Sequence, residues 1–237
     1  MLTGHGSQGG NDMLVKNWMN RNIITVDANE SMLDAINLIK KHDMLMLPVM
    51  RNGELVGVVT DRDLKRASAS DATTLEVHEL MYILSKIKVK EIMSRPPVTV
   101  PFDYTLEETA EILLNNKISG VPVVDHGGQV LGTISQNELF RAVLSVTGLE
   151  KRGIQFAFEL EDSPGSIKEV ADVIRNYGGR IASILSSYER APEGRRNVYI
   201  RMYGVDRSRL EELVAKLKKQ AKVLYMVDHR EDRREIY

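Results

Sequence analysis

The sequence predicts a chain of mixed α/β and α+β structure in two parts. The first is a pair of β-β-α half-domains closing on each other about a pseudo-twofold axis; the second is a domain of β-α-β-β-α-β order. Motifs in the first part occur twice at fixed spacing, each copy alternates helix and strand patterns in the same order, and the pattern changes after Gly153. Val15-Lys16-Asn17-Trp18-Met19 returns as Val89-Lys90-Glu91-Ile92-Met93, and Leu47-Pro48-Val49 returns as Val121-Pro122-Val123, both at a spacing of 74 residues. The second copy then gains one residue, His126-Gly127-Gly128 against Asn52-Gly53, after which Gly57 matches Gly132. A unit of this length present only twice is not a stacked solenoid repeat. Two facing half-domains create clefts, where small ligands bind.

Residues 1–12 are Gly-rich and polar with no apolar stretch, and are expected to be a disordered leader rather than a signal peptide. Copy one spans 13–66. Its Ser31 can cap a helix whose apolar face is Met32, Ala35, Ile36 and Ile39. Met44 to Met50 reads as a buried strand, Asn52-Gly53 as a turn, Leu55 to Val59 as its hairpin partner, and Thr60-Asp61 as the start of a helix through Arg66. Residues 67–88 read as a helical linker with a Thr73-Thr74-Leu75-Glu76 capping box and an apolar face of Leu80, Met81 and Leu84. That face either packs on its own module or contacts a second subunit. Copy two, 89–147, repeats the order: a Thr105 cap and helix to about Asn115, strands Val121–Val124 and Val130–Ile134, and a helix from Ser135.

In the second domain, 153–229, Gln155 to Leu160 alternates as a half-buried strand. Asp162-Ser163-Pro164-Gly165 turns into a helix from Ser166 to Tyr177, stopped by Gly178-Gly179. Strands follow at Arg180–Arg190 and Asn197–Gly204, then a helix from Asp206 and a strand Val223–Val227, which is the ferredoxin-like order. The charged tail, 230–237, is expected to be solvated.

Composition narrows the function. Lys and Arg number 32 against 33 Asp and Glu, so no basic field favours nucleic acid or anionic lipid. The absence of cysteine excludes disulfides and thiolate chemistry, and no apolar run approaches the roughly 18 residues of a membrane span. A cytoplasmic protein is expected. The five histidines have no metal-ligand spacing, and no Ser-His-Asp or Gly-x-Ser-x-Gly pattern stands out. No catalytic constellation or metal site is expected, and the chain is read as a non-enzyme.

The two copies resemble a tandem pair of CBS domains, a regulatory module that binds adenine-containing ligands. The resemblance rests on Leu47-Pro48-Val49 with Gly57-Val58-Val59-Thr60-Asp61-Arg62-Asp63, and on Val121-Pro122-Val123-Val124 with Gly132-Thr133-Ile134-Ser135-Gln136-Asn137-Glu138. The last third is similar to an ACT domain, through its Asp-x-Pro-Gly turn. The combination resembles CBS–ACT proteins of the acetoin utilisation B type.

The resemblance implies a nucleotide site of Ile23, Ile24, Thr25, Met44, Leu47, Pro48, Val58, Thr60, Arg62 and Asp63. The Asp63 carboxylate would accept both ribose hydroxyls, and Thr60 sits at a helix N-terminus suited to an anion. The bland alternative is helix capping by Thr60 or Asp61 and core packing by the apolar residues. A second site, of Val98, Thr99, Ile118, Pro122, Ser135, Asn137 and Glu138, is expected to be weaker, because Glu138 replaces Asp. Related modules place cations before the apolar-Pro-Val strand; here stand Leu45 and Met46, or Ser119 and Gly120. Arg21, Arg62, Arg95 and Lys117 remain as phosphate candidates. AMP, adenosine or S-adenosylmethionine is therefore expected over ATP, as a regulatory ligand rather than a required cofactor. Asp162, Gly165 and Ser166 could hold an amino acid, although Asp-Ser-Pro-Gly is also an ordinary turn. A homodimer and an unidentified protein partner are expected; a ligand-free scaffold that oligomerises with a partner enzyme is the alternative.

Overall fold

The computed structural model describes residues 12–71 and 77–237, and the chain divides into two compact units after Ala142. The expected leader up to residue 11 and the Thr73–Glu76 capping box lie outside the described residues.

The first unit runs α1 (Val15–Trp18), β1 (Val26–Asp27), α2 (Met32–His42), β2 (Met46–Arg51), β3 (Glu54–Thr60), α3 (Asp61–Asp71), α4 (Val77–Lys86), α5 (Val89–Ile92), β4 (Val100–Pro101), α6 (Leu106–Asn116), β5 (Gly120–Val124), β6 (Val130–Ser135) and α7 (Gln136–Val146), the last continuing past the boundary. The two halves are built alike. β1 pairs parallel with β2 and β2 antiparallel with β3; β4, β5 and β6 do the same. Reciprocal capping boxes start α2 and α6. The Ser31 hydroxyl accepts from Asp34 N at 3.2 Å and Thr105 from Glu108 N at 3.2 Å, while each carboxylate accepts from the cap's own N–H. Both helices end on a left-handed residue, Asp43 (φ 51°) and Lys117 (φ 54°).

Each half lends its leading segment to the other. Val15 and Met19 are buried with Val100, Leu106, Val121 and Ile134 of copy two, and Val89 with Val26, Met32 and Leu47 of copy one. Backbone pairs fix the exchange. Asn20 and Thr133 bond reciprocally at 2.8 and 3.0 Å, and Val58 and Ser94 at 3.1 and 2.9 Å. The matching glycines now have a cause. A Cβ on Gly132 would lie 2.3 Å from the Asn20 oxygen, and one on Gly57 would lie 2.6 Å from the Met93 sulfur and 2.9 Å from the Ser94 oxygen. Only a bare backbone admits the visiting segment. A side chain fills the matching space between the sheets: Met46 projects onto its own repeat equivalent, Gly120, where a Cβ would meet the Met46 methyl at 2.2 Å.

α4 packs on copy one through buried Leu84 and partly buried Leu80. Met81, expected on the same face, is instead exposed, as is Tyr82. A residue one position after Leu80 lies about 100° round the helix, so only Leu80 and Leu84 share the inward stripe.

The second unit contains a 3-10 turn (Leu149–Lys151), β7 (Ile154–Glu161), α8 (Ser166–Asn176), β8 (Arg180–Ser187), β9 (Arg195–Tyr203), a 3-10 turn (Arg207–Arg209), α9 (Leu210–Gln220), β10 (Lys222–Asp228) and β11 (Arg233–Ile236). The β-α-β-β-α-β order is present, in an antiparallel sheet ordered β11-β10-β7-β9-β8. Alternation along β7 and β9 sends Phe156, Phe158, Val198, Ile200 and Met202 into a core with Val170, Ile174, Leu213 and Leu217 of the two helices. The charged tail is largely exposed yet also forms structure. Residues Arg233 to Ile236 form a fifth strand on the edge of β10, and the Lys218 ammonium lies 3.4 Å from the Tyr237 ring centre. Alternating charge marks exposed side chains, but an edge strand also exposes its side chains while pairing its backbone.

Candidate ligand cleft

A cleft of about 630 Å³ opens in the first unit, within the range of small-molecule sites. One wall is Trp18, Met19 and Asn20, held by the Asn20–Thr133 backbone pair. A second is Asp43 to Met46, the turn from α2 into β2, and the third is Thr133 and Ser135 of β6 with Asn137, Glu138 and Arg141 of α7. The cleft thus takes a strand entry from copy one and a helix start from copy two. Met44, expected with Asp63, lies here with Ser135, Asn137 and Glu138, where its sulfur accepts from Asn20 Nδ2 at 3.8 Å.

Glu138 and Asp63 turn out to be equivalent in geometry. Glu138 Oε2 accepts from Ser135 N at 2.9 Å and from Ser135 Oγ at 2.5 Å. Asp63 Oδ2 accepts from Thr60 N at 3.0 Å and Thr60 Oγ1 at 2.6 Å. The extra methylene of glutamate is absorbed by its own torsions, so the shift in carboxylate position expected from side-chain length does not appear. Each carboxylate meets an arginine one turn on: Arg66 bonds Asp63 Oδ1 at 3.1 Å, and Arg141 lies 3.6 Å from Glu138 Oε1. The sequence carries this carboxylate-x-x-Arg pattern in both copies, Asp63 with Arg66 and Glu138 with Arg141. Asp63 is 8% exposed, and its backbone N–H donates to Thr60 Oγ1 at 3.2 Å, so the capping alternative is realised for Thr60 with Asp63 as its capping-box partner.

The helix starts are not open anion sites. The first N–H of α7 bonds Ser119 O at 2.9 Å, the second bonds Ser135 Oγ at 3.2 Å, and in copy one Asp61 N bonds Leu45 O at 3.3 Å. A carboxylate already occupies the positive end of each helix. In copy one, Asp61 N and Asp63 N are already engaged at the helix start where an anion was expected. What remains is an acceptor-rich site, suited to ligand hydroxyls or a cation.

The other expected residues are placed differently. Leu47, Pro48 and Val58 are buried in or beside the copy-one core, with Ile24 packed against it; Ile23 and Arg62 are exposed; Thr25 and Thr60 are half-buried. Val98 and Ile118 pack against the copy-two core, Thr99 is half-buried and Pro122 is buried. None of these lines the 630 Å³ cleft. Arg21, Arg95 and Lys117 are exposed outside it as well, and Arg21 bonds Lys16 O at 2.7 Å. The cleft residues that sequence reasoning missed are Trp18, Met19, Asn20, Asp43, Thr133 and Arg141. The first three became visible only through the segment exchange.

In the second unit, Asp162, Gly165 and Ser166 do come together. Gly165 caps α8 with φ 96°. Arg196 takes up the acceptors, its Nε lying 3.5 Å from Asp162 Oδ1 and its terminal nitrogen donating to Ser166 Oγ at 3.3 Å. The Tyr188 hydroxyl donates to the same Asp162 oxygen at 3.3 Å. An internal guanidinium therefore stands beside the residues expected to hold an amino acid. Among the described residues no cluster of His, Cys, Asp or Glu could hold a metal ion, and no helix is long and apolar enough to cross a membrane.

Residues 15–70 and 89–145 each match the family model of the CBS domain. The match supports a tandem pair of CBS domains in the first unit. An uncharacterised protein of Methanocaldococcus jannaschii is 26% identical over 158 residues, 57% of this chain and 94% of that protein. A CBS domain pair solved with 5′-methylthioadenosine and S-adenosyl-L-methionine is 30% identical, with a TM-score of 0.47, covering 55% of this chain and 94% of that one. The protein CBSX2, solved in complex with AMP, is 29% identical with a TM-score of 0.46, covering 56% of this chain and 97% of that one.

Proposed function

We propose that the chain is a non-catalytic regulatory protein whose CBS-pair cleft takes an adenosine-type ligand of low charge. The observation that carries this is the lining of the cleft: two carboxylates, Asp43 and Glu138, against one guanidinium, Arg141, which already faces Glu138. The Trp18 indole offers a face for a purine, and the free lone pairs of Glu138 offer acceptors for ribose hydroxyls. A triphosphate of about four negative charges would enter without matching cations. Adenosine, AMP or S-adenosylmethionine fits better, the uncharged and cationic ligands best. The Asp63 side repeats the carboxylate arrangement and is the candidate for a second site.

The second unit, with its β-α-β-β-α-β order and Asp162–Gly165 turn, is read as an ACT-like, ferredoxin-like domain of an acetoin-utilisation-type protein. Because Arg196 engages Asp162 and Ser166 from within, homodimerisation is the favoured use over amino-acid sensing. Ligand binding would shift the equilibrium between conformers and so the contact with a protein partner. A thermal-shift panel of adenosine, AMP, S-adenosylmethionine and ATP without magnesium tests the reading. Stabilisation in the order adenosine or S-adenosylmethionine, AMP, then ATP supports it. Stabilisation by ATP above the others contradicts it, and stabilisation by none favours a ligand-free scaffold.

A further inference from the structure

The second unit carries a cavity that a regulatory role for the CBS pair does not use. It lies where the turn Leu149–Lys151 enters β7 and where β9 ends. About 90 Å³ is bounded by Lys151, Arg152, Arg207 and Arg230, with Gly153, Gly204 and neighbouring residues completing the wall. No acidic side chain lines it. Arg207 is held from outside the cavity by Asp228 at 3.0 Å and Glu231 at 3.5 Å. Lys151, Arg152 and Arg230 make no ion pair among the described residues.

Four cations around so small a volume repel one another, and their summed field favours an anion. His229 stands beside the cavity: its backbone N–H donates to the Gly153 oxygen at 3.1 Å, and its imidazole is perturbed mainly by groups outside the cavity lining. Burial, then the charges of Arg201 and Arg234, and to a lesser degree Arg152, hold this imidazole below the usual histidine range, against the opposing pull of Asp228. Its Nε2 is buried with no hydrogen-bond partner among the described residues.

We propose that this cavity binds a tetrahedral oxyanion, a phosphate either free or as the head of a phosphomonoester. Guanidinium forks match phosphate oxygens, and Lys151 adds a point charge. At about 90 Å³ against about 630 Å³ for the ligand cleft, the cavity admits a head group and not a nucleoside.

The test is an amide and imidazole NMR titration of the full chain with sodium phosphate, and separately with glycerol 3-phosphate, at ionic strength held constant with sodium chloride. Saturable shifts are expected at Gly153, Gly204 and Arg207, with the His229 ring titrating at higher pH once the anion is bound. Saturation by both compounds, or by the ester alone, supports the proposal and identifies the source. Arg152→Gln with Arg230→Gln, both exposed positions, should weaken binding about tenfold or more while leaving the thermal midpoint in chloride unchanged. Shifts that stay linear and equal those with chloride overturn the proposal by identifying ordinary screening. Saturable binding of equal strength in the double variant overturns it too. Adenosine carries no phosphate and should leave these amides unmoved, which separates this site from the cleft.

Discussion

Replacing Glu138 by alanine separates helix capping from ligand binding. The substitution removes the acceptor of two hydrogen bonds, from Ser135 N at 2.9 Å and Ser135 Oγ at 2.5 Å. The lost cap costs about 1 kcal/mol and the lost charge at the helix N-terminus about 0.5 kcal/mol, so chemical denaturation should show a loss of about 1–2 kcal/mol. In the proposed complex the same carboxylate accepts ribose hydroxyls, and losing a charge-assisted bond of about 1.5–3 kcal/mol should weaken adenosine about 10- to 100-fold by calorimetry. Glu138→Asp should keep most of both, since Asp63 makes the same contacts in copy one. The alanine variant also unpairs Arg141, leaving one carboxylate and one guanidinium in the lining. AMP should therefore gain relative to adenosine. A folded Glu138→Ala protein that binds adenosine as tightly as the wild type would refute the role given to this carboxylate.

Gly132→Ala should destabilise more than Gly57→Ala, because its new methyl meets the Asn20 carbonyl oxygen at 2.3 Å, whereas the closest atom at Gly57 is a movable methionine sulfur at 2.6 Å. Losses of about 3 and about 1–2 kcal/mol in urea unfolding are expected, and the reverse order would contradict the segment exchange. Asp63→Ala should cost about 1–2 kcal/mol in the same measurement, since the side chain is the capping-box partner of Thr60 at the start of α3; a loss near zero would remove it from that role. Stability should also depend on pH through His229. Its folded pKa is lowered, so the unfolded chain binds more protons below about pH 6.5 and stability should fall as pH drops through that value. His229→Gln should flatten that slope; an unchanged slope would assign the dependence to other groups.

The hydrophobic periods and turn residues made most elements legible, since Ser31, Thr105, Asn52-Gly53 and Asp162–Gly165 act locally. The helix starts at Asp61 and Gln136 were legible for the same reason. The cleft was legible only in part. Ser135, Asn137, Glu138 and Met44 were singled out, yet in separate sites, because the pairing of copy one's strand entry with copy two's helix depends on a long-range exchange that no local pattern records. The glycines at 57 and 132 were its trace: matched, in strands, with no turn to explain them. Side-chain length suggests a difference between Asp63 and Glu138, but its torsions let glutamate reach the same two donors. The tail strand was missed for a different reason, in that charge alternation reports exposure and not backbone pairing.

The most direct measurement of the central claim is to map adenosine onto the wild-type chain by amide chemical shifts. The account predicts saturable shifts at Asn20, Asp43 to Met46 and Ser135 to Glu138, with the Trp18 indole N–H moving alongside them. Shifts confined to Thr60–Asp63, or none at ligand concentrations that saturate related binding sites, would contradict it.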